Sequence, residues 1–151
     1  LVLQRVSEAK VIINNKQYAS IGNGILLLIG FAAEDEKLNF DYYIKKIVNL
    51  RIFNDQNNKM NKSLLEIDGS ILVVSQFTLL ADTRRGNRPS FINAAKPKLA
   101  KKLYDQFIQK LKNYEITVEK GRFGAQMFLD FINDGPVTII MDDTKWINKL
   151  E

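Results

Sequence analysis

The residues best placed to do chemistry lie in SQFTLLADTRRGNRPSF, residues 75–91, where an apolar run gives way to a basic loop. It carries the hydroxyls of Ser75 and Thr78, the amide of Gln76 and the guanidiniums of Arg84, Arg85 and Arg88. A serine or threonine nucleophile needs a base, and the chain has no histidine and no cysteine, so a lysine, a carboxylate or the substrate itself would have to activate it. Backbone N–H groups at such a turn offer another device, since they can face developing negative charge, and losing one such donor costs about 10²–10³ in rate. Arginine binds phosphate as a fork, which lysine does not do, and Gly86 lets the loop bend between the three arginines. Taken singly, these features also suit a polar strand end and a solvated basic turn; their adjacency is what points to a site.

Two other segments read more plainly. NDGPVT, residues 133–138, has the composition of a hairpin turn between two apolar strands, and its Gly-Pro bond is expected trans, because only about 5–6% of such bonds in folded proteins are cis. GRFGAQM, residues 121–127, reads as a glycine-flanked turn into a strand whose Phe128, Leu129 and Phe131 belong in the core. Asp142 and Asp143 are adjacent and would face opposite sides of a strand, so no metal-ligand spacing emerges. No metal and no cofactor are expected.

The elements that must hold these residues follow from periodicity. LVLQRV (1–6), AKVIINN (9–15), KQYASI and ILLLIGF (25–31) read as strands, the last buried on both faces. Leu38, Ile44, Ile47, Val48 and Leu50 recur at helical spacing over residues 36–50. SILVVSQFTLL (70–80) reads as one long strand, which would put Ser75 and Phe77 on one face and Gln76 and Thr78 on the other. A second helix is marked by Leu99, Leu103, Phe107 and Leu111, with Pro97 in its first turn. EITVEK (115–120), MFLDFIN (127–133) and VTIIMD (137–142) complete the strands, and TKWINKLE reads as a peripheral segment held by Trp146. The expected fold is α+β, a single domain with mixed or antiparallel sheets and two main amphipathic helices.

With 151 residues the chain is long enough for one core without staples. The longest apolar run, ILLLIGFAA, falls short of the roughly 20 residues a membrane span needs and follows no basic leader, so a cytoplasmic protein without membrane association is expected. The start at Leu1 reads as processed or trimmed. A net charge of +5 favours a polyanionic partner.

In this order and spacing, QRV (4–6), SQFTL (75–79), DTRRGNRPSF (82–91), GRFGAQM (121–127) and NDGPVT (133–138) resemble the D-aminoacyl-tRNA deacylase family, over nearly the whole chain. The resemblance implies a homodimer that hydrolyses the ester of D-aminoacyl-tRNA, rejects L-amino acids, and also clears glycine mischarged on alanine tRNA. It implies that Ser75, Gln76, Phe77 and Thr78 line the catalytic pocket for the aminoacyl adenosine, with Phe123, Ala125 and Met127 contributing to its walls. It further implies that Gly135 and Pro136 form a cis pair entering the partner subunit's site, against the trans default, with Arg5 holding that pair and Arg84, Arg85 and Arg88 meeting the tRNA acceptor end. For the chemical step, either Thr78 attacks, or the 2′-hydroxyl of the terminal ribose assists water while backbone N–H groups near Phe77 and Thr78 hold the oxyanion. Lacking histidine, the chain favours the second. The rival readings are a non-catalytic RNA-binding module and an editing domain of a synthetase complex.

Overall fold

The computed structural model describes residues 1–142; Asp143 and the segment around Trp146 lie outside the described residues. Three antiparallel strands open the chain: β1 (Val2–Ile13), β2 (Lys16–Ile21) and β3 (Gly24–Ile29). Two of the expected strands are thus one, because Ser7 and Glu8 continue the extended backbone of β1. Helix α1 (Phe40–Asn49) follows a 3-10 turn, with the Asn39 side chain accepting from the Asp41 N–H at its start. A small hairpin, β4 (Phe53–Asn54) and β5 (Met60–Lys62), precedes β6 (Ser70–Ser75), helix α2 (Pro97–Leu111), β7 (Thr117–Lys120) and β8 (Phe128–Ile140).

The main sheet runs β2-β1-β3-β6-β7, with β8 along the other edge of β1. β3–β6 and β6–β7 are parallel and the pairings of β1 are antiparallel, which is the mixed α+β arrangement that the sequence predicts. Both faces of the centre are buried. Ile25, Leu27, Ile29, Ile71 and Val73 pack with Ile44, Ile47, Tyr104 and Phe107 of the helices, while Leu26, Leu72 and Val74 pack with Val6, Val11 and Ile21. This explains the unbroken apolar run in β3.

Three expectations fail in instructive ways. Strand β6 stops at Ser75, and Phe77–Leu80 form a 3-10 turn, so the alternation expected for Ser75 through Thr78 does not occur. Residues 133–138 are not a hairpin turn. Both halves of β8 pair with β1, Asn133 opposite Val6 and Thr138 opposite Gln4, so two steps of β1 face five of β8 and the Asp134–Val137 corner bulges from one continuous strand. Within it the Gly135–Pro136 bond is cis. Phe128, expected in the core, is 60% exposed, because 128 and 132 share the outward face of β8 while Leu129 and Phe131 turn inward.

Candidate active site

At the end of β6 the Gln76 N–H donates to Ile29 O (2.8 Å), which bends the chain out of the sheet and into the Phe77–Leu80 turn. Gly30 permits this close approach: a Cβ there would lie 2.7 Å from Gln76 O and 2.6 Å from Leu80 Cδ2. The N–H groups of Phe77 and Thr78, in the first turn of this short helix, have no intrahelical acceptor. Opposite stands the 121–127 turn. Gly121 N donates to Val73 O (2.8 Å), and the Tyr104 hydroxyl of α2 donates to Val73 O (2.8 Å) and lies 3.3 Å from Gly121 O. Burial pushes the Tyr104 pKa up, so it remains a donor. Gly124, at φ +76°, turns the chain toward β8.

Between these two segments lies a cleft of about 310 Å³ lined by Val74, Ser75, Gln76, Phe77, Gly124, Ala125, Met127 and Leu129. Five of the residues expected in one site therefore meet there: Ser75, Gln76, Phe77, Ala125 and Met127. Phe123 does not line it; its ring packs 5.8 Å from that of Tyr104 and helps hold the turn. Thr78 stands outside the lining, exposed, with its hydroxyl accepting from Gln76 Nε2. Among the described residues neither a lysine nor a carboxylate reaches it. A larger cavity of about 450 Å³ lies behind the turn, lined by Leu79, Leu80, Phe31, Phe40 and Phe107. Its lining also includes Glu34, Asp35 and Asp142 but none of the Ser75–Thr78 polar groups, so the smaller cleft is the one that matches the sequence motifs.

The Gly135–Pro136 corner is exposed and does not line this cleft within one chain. Arg5, 5% exposed, braces it from beneath: Nε donates to Asp134 O (3.1 Å) and lies 3.2 Å from Asp134 Oδ2, while Nη1 donates to Ile52 O (2.6 Å) and Asn54 Oδ1 (3.3 Å). The Asn133 amide bridges Gln4 (2.6 Å) and Thr138 (3.2 Å) across the base of the bulge.

The arginine loop is closed by reciprocal backbone bonds between Asp82 and Ser90 (2.8 and 2.9 Å), with Gly86 at φ +63° at its tip. Arg85 and Arg88 are exposed. Arg84 is already engaged: its fork donates to both Asp82 oxygens (2.9 and 2.6 Å), which holds the Asp82 carboxyl down at about 2. Phe91, at the loop's end, meets Phe77 edge-on with ring centroids 5.0 Å apart, tying loop to cleft rim. Sequence reasoning gave no role of their own to Phe91, Gly124, Tyr104 and Asn54: Phe91 and Gly124 lay inside the DTRRGNRPSF and GRFGAQM motifs without being singled out, and the helical spacing of Tyr104 spoke for packing alone.

The profile of the D-Tyr-tRNA(Tyr) deacylase family matches residues 2–142. The chain is 51% identical over 144 residues, 95% of this chain and 97% of the relative, to a D-aminoacyl-tRNA deacylase of Thermosipho africanus (strain TCF52B). It is 50% identical over the same shares to a D-aminoacyl-tRNA deacylase of Clostridioides difficile (strain 630). Among solved structures it is similar to one named c-Myc DNA Unwinding Element Binding Protein, with a TM-score of 0.85, 40% identity, and 91% and 94% of the two chains covered. The fold is also that of a probable eukaryotic D-amino acid tRNA deacylase, with a TM-score of 0.79 at 20% identity over 91% and 95% of the chains.

Proposed function

Because this chain belongs to the D-Tyr-tRNA(Tyr) deacylase family, a family of hydrolases, we propose that it hydrolyses the ester joining a D-amino acid to the terminal adenosine of tRNA and spares the L-form. The observation that carries this reading is the meeting of Ser75, Gln76 and Phe77 with Ala125 and Met127 around one cleft. Water attacks the ester carbonyl, the bond to the ribose oxygen breaks, and free amino acid and an intact tRNA 3′ end leave. The N–H groups near Phe77 and Thr78 receive the oxyanion. The 2′-hydroxyl of the ribose assists the water, which suits a Thr78 hydroxyl to which, among the described residues, no lysine or carboxylate hydrogen-bonds.

Selectivity is by exclusion. Gly135 and Pro136 of a partner subunit enter the cleft, where their carbonyls accept from the substrate ammonium and leave room at the α-carbon for a hydrogen only. A fixed main-chain clash rejects the wrong enantiomer more strongly than the ~1–3 kcal/mol that one methylene contact supplies. Glycine, without a side chain, passes and is also removed. The exposure of the Gly-Pro corner and its position away from its own chain's cleft fit a cross-subunit role in a homodimer. Arg85 and Arg88 face the acceptor end, whereas Arg84 first has to give up Asp82. On this reading residues 1–151 act as one deacylase domain per protomer in the cytoplasm.

The test is hydrolysis of matched D- and L-aminoacyl-tRNA by the purified protein. Release of the D-amino acid alone is expected, and equal cleavage of both would overturn the reading. The kinship to a DNA-element-binding protein keeps a second reading alive, a non-catalytic nucleic-acid binder; such a protein would leave or protect the D-ester in the same assay. An editing domain of a synthetase complex would instead prefer one tRNA and one amino acid over D-amino acids in general.

A further inference from the structure

The polar run NDQNNKMNK, residues 54–62, has no part in the cleft, yet it is built with care. Asp55 accepts from the N–H groups of Asn57 (2.8 Å) and Lys59 (3.1 Å) and from the Asn61 amide (3.1 Å), which holds its carboxyl below the usual range. Arg51 clamps Asn61 from the other side. The β4–β5 hairpin is therefore a rigid mount despite its exposure, and Asn54 opens it. From that mount Asn54 Oδ1 accepts from Arg5 Nη1, and through Nε the same guanidinium holds Asp134, the residue before the Gly-Pro corner. A Cβ on Gly135 would lie 2.8 Å from Arg5 Nη2, so the guanidinium also forms the wall behind Gly135.

Arg5 is buried with one half-exposed carboxylate near it, and its remaining contacts in this network are neutral acceptors. A planar donor fork is fixed in orientation by where its acceptors stand. Ile52 O cannot be changed by mutation, and Asp134 moves with the corner, which leaves Asn54 as the side chain that registers the fork against the hairpin. We propose that Asn54 is a positioning residue for stereoselection, setting through Arg5 the place of the Gly135–Pro136 carbonyls. The inference rests on the function proposed above and extends it to a residue that touches no substrate.

The experiment compares wild type, Asn54→Ala and Asn54→Asp on D- and L-aminoacyl-tRNA under single-turnover conditions, with the Arg5 Nε–H resonance followed by NMR in each protein. Asn54 is exposed, so the alanine variant should fold, and the resonance reports whether it has. The D-over-L ratio is expected to fall about tenfold in Asn54→Ala, the effect of losing one hydrogen bond to a charged group, with faster exchange of the Arg5 Nε–H and little change in the KM for the D-substrate. Asn54→Asp, which keeps the acceptor, should restore both. A merely structural or RNA-contacting Asn54 would lower the rates on both enantiomers together or raise KM alone with an unchanged ratio; either result overturns the proposal. If wild type itself shows no preference for the D-ester, the deacylase reading fails first and this inference falls with it.

Discussion

Single residues divide here into those that touch substrate and those that hold others in place. The sequence left Thr78 as the less favoured of two agents for the chemical step, and its hydroxyl is engaged by Gln76 and lies off the cleft lining. Thr78→Ala should therefore keep most of the single-turnover rate on a D-aminoacyl-tRNA, and a loss approaching about 10⁶-fold, the scale of removing a true nucleophile, would make it one. A substrate ending in 2′-deoxyadenosine should bind but turn over poorly. Asp82 gives a second test at this scale. Its folded-state pKa of about 2 lies below the ordinary 3.8, with the Arg84 hydrogen bond as the leading cause. The pair accordingly helps order the loop above pH 3.8, and that help fades as pH falls toward 2. A carboxyl-carbon NMR titration should place Asp82 near 2 in the native protein and higher in Arg84→Gln, though still below 3.8, because the backbone N–H of residue 84 continues to donate to the carboxylate.

Elements explain what sequence could and could not deliver. Helix α2 was legible because Leu103, Phe107 and Leu111 repeat on one buried face, a local signal. The Asp134–Val137 bulge was not, since NDGP has turn composition and its meaning depends on a partner strand roughly a whole chain away. The end of β6 was misplaced for a related reason: Leu79 and Leu80 continue the apolar pattern but turn to line a separate cavity. Family resemblance, resting on motif order, named five of the eight residues lining the cleft, which periodicity could not group, together with Thr78 and Phe123, which do not line it. Gly30 belongs at this scale, because it lets the Phe77–Leu80 turn lie against β3. Gly30→Ala would drive a methyl into Gln76 O and Leu80, and should cost about 1–3 kcal/mol in urea unfolding. Activity should drop beyond what stability predicts, as the turn carrying the Phe77 and Thr78 N–H groups is displaced.

The molecule as a whole presents an apolar stripe on the first half of β8, where Phe128 and Ile132 share one face and are 60% and 56% exposed. With the homodimer proposed above, that stripe is where a second copy would dock. Sedimentation is expected to give a dimer, and Ile132→Glu a monomer lacking deacylase activity; an active monomer would remove the cross-subunit role of Gly135 and Pro136. The net charge of +5 predicts in addition that tRNA affinity falls steeply with salt. One further consequence comes from β1, which pairs with β2, β3 and β8 and sets Val2 opposite Ile140. On the ribosome β1 must wait for β8, made long after it, with its long edge open to stray pairing in the meantime. Newly made protein should therefore depend on chaperones until β8 emerges.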